Sequence, residues 1–248
     1  MKIINLNPDT AIGASAWFVE MEGHRLLMDA GTHPRLEGRG GLPLYDSVKN
    51  EEVDAIAISH CHHDHVGSLP VALRYFPQAH VLMTELSYFL VERVLHNSVN
   101  VMKRQRDELG LKEYPLYSHD EVDELFSRFQ GFKYNREVDW ASFHKTRAGF
   151  LSPTLEFYDA GHTLGSAGIM VRGKKNSSFS IPANPDRRLR LMTITERALS
   201  TSRIGMPKIG LCRSWRAAGF TVSFAPITRT TSARSNSGLI SSMSASRS

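Results

Sequence analysis

Aliphatic runs and charged amphipathic stretches alternate through the first two-thirds of the chain, and their periods assign the elements. Lys2–Leu6, Ser15–Met21 and Arg25–Met28 are short, apolar-rich segments that predict three strands in succession, with a turn over 7–14. Val53–Ser59 is a continuous apolar run rich in β-branched residues, the pattern of a buried strand. His80–Thr84, Leu155–Tyr158 and Gly168–Arg172 predict further strands, and Leu44–Asn50 and Ser68–Tyr75 predict short helices. Glu85–Leu109 predicts a long helix with an apolar stripe of Leu86, Phe89, Leu90, Val94 and Val101; its Lys103-Arg104-Gln105-Arg106 cluster reads as a solvated face. Ser118–Gln130 opens on a capping box, Ser118 with Glu121, and sets Val122, Leu125, Phe126 and Phe129 on one face of a helix. This alternation is that of an α/β protein.

The strand at Val53–Ser59 runs into His60-Cys61-His62-His63-Asp64-His65, followed by Val66-Gly67-Ser68-Leu69-Pro70. A strand end holds ligands on a rigid support, which a metal site needs. Residues two apart share a side in extended chain, so His60 and His62 grip one ion, while Asp64 and His65, past the bend, reach a second. Imidazole and carboxylate together suit a borderline divalent ion, most often zinc. The plain alternative is a polar surface loop in a His-rich chain; the ordered spacing argues against it. Cys61 reads as a small loop residue near the metal, and His63 as a supporting or exposed one. His33 reads as solvent-facing in a Gly/Pro/Arg-rich loop over 33–43. His96, His119 and His144 fit no ligand spacing.

His60-x-His62-x-Asp64-His65 with its trailing Gly-Ser-Leu-Pro resembles the metallo-β-lactamase superfamily, most closely its RNA- and DNA-processing branch, β-CASP, which includes RNase J and the mRNA 3′-end processing endonucleases. Two further segments carry the resemblance. Leu26-Leu27-Met28-Asp29-Ala30-Gly31 is similar to the family's first motif, and Asp159-Ala160-Gly161-His162-Thr163-Leu164-Gly165-Ser166-Ala167 to its third. The likeness covers residues 1–173. It implies an α/β fold, the metallo-β-lactamase αββα sandwich, with the N-terminal half present and the second half in doubt. It implies that His60, His62 and His162 hold one zinc, that Asp64 and His65 belong to a second, and that Asp29 orients the His loop; the alternative for Asp29 is a turn cap before Gly31. Asp64 is then the catalytic carboxylate at the metals. The implied function is a zinc-dependent hydrolase of the phosphodiesterase or ribonuclease type, in which a hydroxide activated by two zinc ions attacks a phosphodiester. RNA or single-stranded nucleic acid is the implied partner. Thr163 and Ser166 read as backbone-bonding residues rather than phosphate contacts.

Charge divides the chain. Residues 1–173 carry 17 Lys/Arg against 23 Asp/Glu, and residues 174–248 carry 13 against 2. The second segment holds 15 Ser and 10 Arg and has poor hydrophobic periodicity. No histidine follows His162, and Asp186 is the sole aspartate beyond it, so the acidic bridging residue and late histidine that the resemblance implies have no counterpart. Two accounts stand for 174–248. In one, translation leaves an ancestral reading frame near Lys175: codons for Ser180-Ile181-Pro182-Ala183-Asn184, read from each third base, can spell Tyr-Thr-Gly-Glu where the family has Tyr-Thr-Gly-Asp. In the other, the segment is a disordered basic tail that binds RNA by charge.

Two cysteines, Cys61 and Cys212, make no disulfide framework, so a reducing, cytoplasmic setting is expected. No apolar run approaches the ~18 residues of a membrane span. Two rival functions remain: a thioester or lactone hydrolase of the same fold, and a truncated, non-catalytic zinc-binding fragment.

Overall fold

A computed structural model describes residues 1–8, 13–140, 153–174, 178–181, 216–217 and 220–221. The chain falls into two units, 1–200 and 201–248. In the second, β11 (Arg216–Ala217) pairs antiparallel with β12 (Phe220–Thr221).

The first unit's strands are β1 (Lys2–Asn5), β2 (Trp17–Met21), β3 (His24–Met28), β4 (Ala55–Ala57), β5 (His80–Thr84), β6 (Phe129–Phe132), β7 (Glu137–Asp139), β8 (Thr154–Asp159), β9 (Ala167–Arg172) and β10 (Ser178–Ile181). Its helices are α1 (His63–Val66), α2 (Leu69–Tyr75), α3 (Glu85–Leu109) and α4 (His119–Leu125). One mixed sheet runs in sequence order from β1 to β6, antiparallel up to β3 and parallel from β3 to β6. A second, antiparallel sheet has the order β10-β9-β8-β7.

The two-residue period of the strands sorts the core into two layers. Phe18, Leu27, Ile56, Val81 and Met83 point to one face of the mixed sheet and pack under the helices, with Val91, Leu95 and Val99 of α3. Val19, Leu26, Met28, Ala55, Ala57 and Leu82 point to the other face and meet Leu155, Phe157, Ala167, Ile169 and Val171 of the second sheet. The described residues thus give helix, sheet and sheet layers. Among them, no helix is long and apolar enough to cross a membrane.

Several elements depart from the sequence expectation. The long helix has its predicted bounds, but its buried face is Ser87, Val91, Leu95, Ser98, Val99 and Met102. Phe89 is 70% exposed, and Leu86 and Val101 also face outward. Two apolar stripes compete on this helix, one through Leu86, Leu90 and Val94 and one through Val91, Leu95 and Val99, and the second faces the sheet. The predicted helix over Ser118–Gln130 ends at Leu125. After one 3-10 turn the chain becomes β6, whose Phe129 pairs beside Val81 as the edge strand of the mixed sheet. Leu44–Asn50 is reduced to one 3-10 turn, Tyr45–Val48. Ser178–Ile181, within the basic segment, adds an edge strand to β9. Asp186 and His144 lie outside the described residues.

Candidate metal centre

Two loops at one end of the mixed sheet are laced together by their backbones. Ala30 N donates to His65 O, Thr32 N to His63 O, Ser68 N to Ala30 O, and Ser15 N to Asp64 O, at 2.8–3.0 Å. Gly31 lies directly against Asp64: a Cβ there would sit 1.7 Å from the Asp64 carbonyl oxygen, so only glycine fits. The laced His loop passes through His62, which is extended at φ −69° and ψ 149°, into the single helical turn α1.

A buried hydrogen-bond relay starts at Asp29, which adopts a left-handed conformation at φ 62°. Its carboxylate accepts from Ser59 N (2.7 Å), Ser59 Oγ (2.9 Å), Ser15 Oγ (3.2 Å) and His65 Nδ1 (2.7 Å). The serine proton is committed to Asp29, so Ser59 Oγ accepts from His60 Nδ1 at 3.0 Å. One carboxylate thereby fixes two tautomers. His60 and His65 each carry their proton on Nδ1 and present an Nε2 lone pair, as metal-binding imidazoles do.

The third motif supplies the remaining imidazole. Gly165, at φ 81°, turns the chain between β8 and β9, and its carbonyl accepts from Thr84 Oγ1 (2.7 Å) and Ser87 Oγ (3.0 Å). Ser166 Oγ accepts from the backbone N–H groups of His162 and Thr163, so this hydroxyl serves the loop. Ala167 N donates to Ser59 O, tying the loop to the strand that carries His60.

His60, His62 and His162 converge. His60 Nε2 lies 3.1 Å from His62 Nδ1, and His162 Nε2 lies 3.3 Å from the same atom. The three rings meet nearly edge to face, at 71°, 85° and 88°. Zinc–nitrogen bonds of ~2.0–2.1 Å in a tetrahedron put ligand nitrogens about 3.3 Å apart, so these donors fit one ion. Burial, and then the neighbouring His65, push His60 down to about 3, which keeps its imidazole neutral and able to ligate. Burial and His162 likewise lower His62.

Asp64 and His65 sit beside this cluster. The rings of His60 and His65 are 4.1 Å apart, and His65 Nε2 is 3.6 Å from Asp64 Oδ2. Burial alone would raise Asp29 and lower His65. Their mutual attraction and hydrogen bond outweigh it, leaving Asp29 below and His65 above its ordinary value. All six predicted site residues are therefore at one end of the two sheets.

Other residues stand elsewhere than the sequence suggested. His33 is buried, and its Nδ1 accepts from Arg35 N and Leu36 N. Cys61 turns its thiol to Ser87 O at 3.4 Å, and burial raises it to about 11, so it stays a protonated packing residue. Ser59, Thr84, Ser87, Tyr45 and Tyr117 carry much of the support and were not singled out from sequence. Thr84 alone had a local signal, as the helix-capping threonine that accepts from Ser87 N.

Residues 9–166 match the family model described as the metallo-beta-lactamase superfamily. The chain belongs to that superfamily. Among curated relatives, it is 29% identical over 172 residues to Endoribonuclease YSH1 of Eremothecium gossypii, covering 68% of this chain and 21% of that protein. It is 24% identical over 172 residues to Cleavage and polyadenylation specificity factor 73 of Drosophila melanogaster, covering 69% and 23%. This superfamily member thus spans about a fifth of the length of the curated relatives it matches. A solved archaeal superfamily protein from Sulfolobus tokodaii is similar at TM-score 0.44 and 17% identity, covering 74% of this chain and 68% of that one.

Proposed function

We propose that this chain carries the metal-binding half of a zinc-dependent RNA-cleaving hydrolase. The observation that supports it most is the convergence of His60, His62 and His162 at spacings that suit one tetrahedral ion. The relatives named as endoribonucleases support RNA as substrate. In this reading His60, His62 and His162 hold one zinc, and Asp64 and His65 supply ligands for another. Zinc there would supply Lewis acidity to a water and to a phosphoryl oxygen. The chain's own work is to keep the imidazoles neutral, to fix their tautomers through Asp29 and Ser59, and to place Asp64 as a charge that offsets the ions.

A second reading has a specific observation behind it. Residues 163–248 hold no histidine and one aspartate, Asp186, so within them the donors that would complete a two-ion site are short. A one-zinc, non-catalytic binding role follows from that. Incubating the zinc-loaded chain with end-labelled single-stranded RNA separates the two, with a thioester as the control for same-fold chemistry. Cleavage of RNA that is lost in His60→Ala and His162→Ala is the expected result. An intact substrate, with one zinc per chain at the His60 cluster, would overturn the catalytic reading and leave the binding one.

A further inference from the structure

We propose a second, separate metal site that clamps α3 to α4, built from Glu92, His96 and Asp123 with His119 behind them, and that takes a borderline divalent ion such as zinc. Glu92 and His96 stand one turn apart on α3, and His119 and Asp123 one turn apart on α4, so each pair shares a face of its helix. Ligand atoms of Glu92, His96 and Asp123 lie within 4.8 Å of one another. None of these residues belongs to the His60 centre.

The protons in this cluster can be counted. Asn100 Oδ1 lies 3.1 Å from His119 Nε2, and in that amide orientation the oxygen accepts, which places the His119 proton on Nε2. His119 Nδ1 is then a lone pair. It faces His96 Nδ1 at 2.8 Å, with the two rings stacked at 22°, so His96 donates from Nδ1. In that tautomer His96 Nε2 is a lone pair, 3.1 Å from Asp123 Oδ1 and beside the Glu92 carboxylate. In that tautomer an imidazole lone pair and two carboxylates lie together, and a cation between them relieves their repulsion.

The cation is either a proton, making a plain His96–Asp123 ion pair, or a metal. Three features favour the metal. The donors come from two helices and converge, which one ion pair does not require. The far nitrogen of His96 is anchored by a hydrogen bond, as ligating imidazoles ordinarily are. One imidazole with two carboxylates leaves a fourth position for water, the open set that zinc accepts, whereas calcium and magnesium select oxygen alone. Asp123 is 61% exposed, so an ion reaches the site from solvent. The helix it would fix also carries Ser87 and Ser98, whose hydroxyls contact Gly165 O and His63 Nδ1. An ion here braces the support of the His60 centre without touching its chemistry.

The test strips the full chain with a chelator and titrates it with zinc by calorimetry, in a His62→Ala/Asp64→Ala/His162→Ala background that removes ligands of both ions of the first centre. One ion per chain is expected to remain, with a rise in melting temperature. Asp123→Asn, an exposed and isosteric change, should abolish both, and His119→Ala should weaken binding about 10-fold by releasing His96. Zinc binding and the melting shift unchanged in Asp123→Asn, or absent from the background chain, would overturn the proposal. Neither outcome bears on RNA cleavage, so this site and the proposed function fail separately.

Discussion

Asp29 Oδ2 lies 2.7 Å from His65 Nδ1, and that same oxygen takes the hydroxyl proton of Ser59. Replacing the carboxylate by an amide tests the relay. Asn tolerates the left-handed backbone at this position, so Asp29→Asn should fold. Its NH2 group, turned to His65, would donate where the carboxylate accepts, moving the imidazole proton to Nε2 and closing that lone pair. Zinc affinity at Asp64–His65 should fall about 10–100-fold. Titration of the apo chain checks this, and an unchanged affinity would mean that Asp29 serves the fold alone.

Gly31 gives a sharper structural test. A methyl group there meets the Asp64 carbonyl at 1.7 Å, and backbone cannot step aside as a flexible side chain can. Gly31→Ala should lose about 3 kcal/mol or more, the upper range for overpacking, since the loops on both sides are tied at Ala30, Thr32 and Ser68. Urea denaturation reads the loss. Gly40→Ala, with open space around it, is the control and should change little.

What could be read from sequence follows the physics of each signal. The strands delivering Asp29, His60 and His162 were legible because buried strands leave apolar runs, and the His loop because its ligands are local in sequence. Phe129 was misread because Phe126 and Phe129, three residues apart, fit a helical face as well as a turn into a strand. Leu86 and Phe89 were misread because α3 has two apolar stripes and nothing local says which meets the sheet. His33 was misread because its burial depends on the fold of the loop around it. The support by Ser59, Ser87 and Tyr45 was hidden for a different reason: single hydroxyls act through partners 20 to 80 residues away.

Tyr45 makes a pH-dependent prediction. Ser68 Oγ donates to Gly31 O, so the buried Tyr45 hydroxyl donates to Ser68 Oγ at 2.7 Å. Burial holds Tyr45 and Tyr117 well above the ordinary tyrosine value. Both stay neutral in the fold while the unfolded chain ionises near pH ~10. Their contribution is therefore complete below that pH and lost as pH rises through it. Melting temperature should drop between pH 10 and 12. Tyr45→Phe should cost about 1 kcal/mol at pH 8 and make the alkaline drop shallower. An equally steep drop in Tyr45→Phe/Tyr117→Phe would assign it to other groups.

His162 brings the final test, because it is the triad member on the second sheet. It comes from the β8–β9 turn, whereas His60 and His62 follow β4 in the first sheet. An ion bound by all three therefore bridges the sheets. At a free zinc concentration about 100-fold over Kd, such an ion should add ~2.7 kcal/mol of stability. For a chain of this size that is a rise of roughly 5–10 °C in melting temperature. The measurement belongs in an Asp123→Asn background, so that only this centre is read. His162→Ala should leave the metal-free melt nearly unchanged, because the loop is held by Ser166 Oγ and the Gly165 carbonyl rather than by the imidazole. It should remove most of the zinc-dependent rise. A full rise in His162→Ala would mean that the ion rests on the His60–His65 segment alone, and the two sheets would then be joined by packing and hydrogen bonds without it.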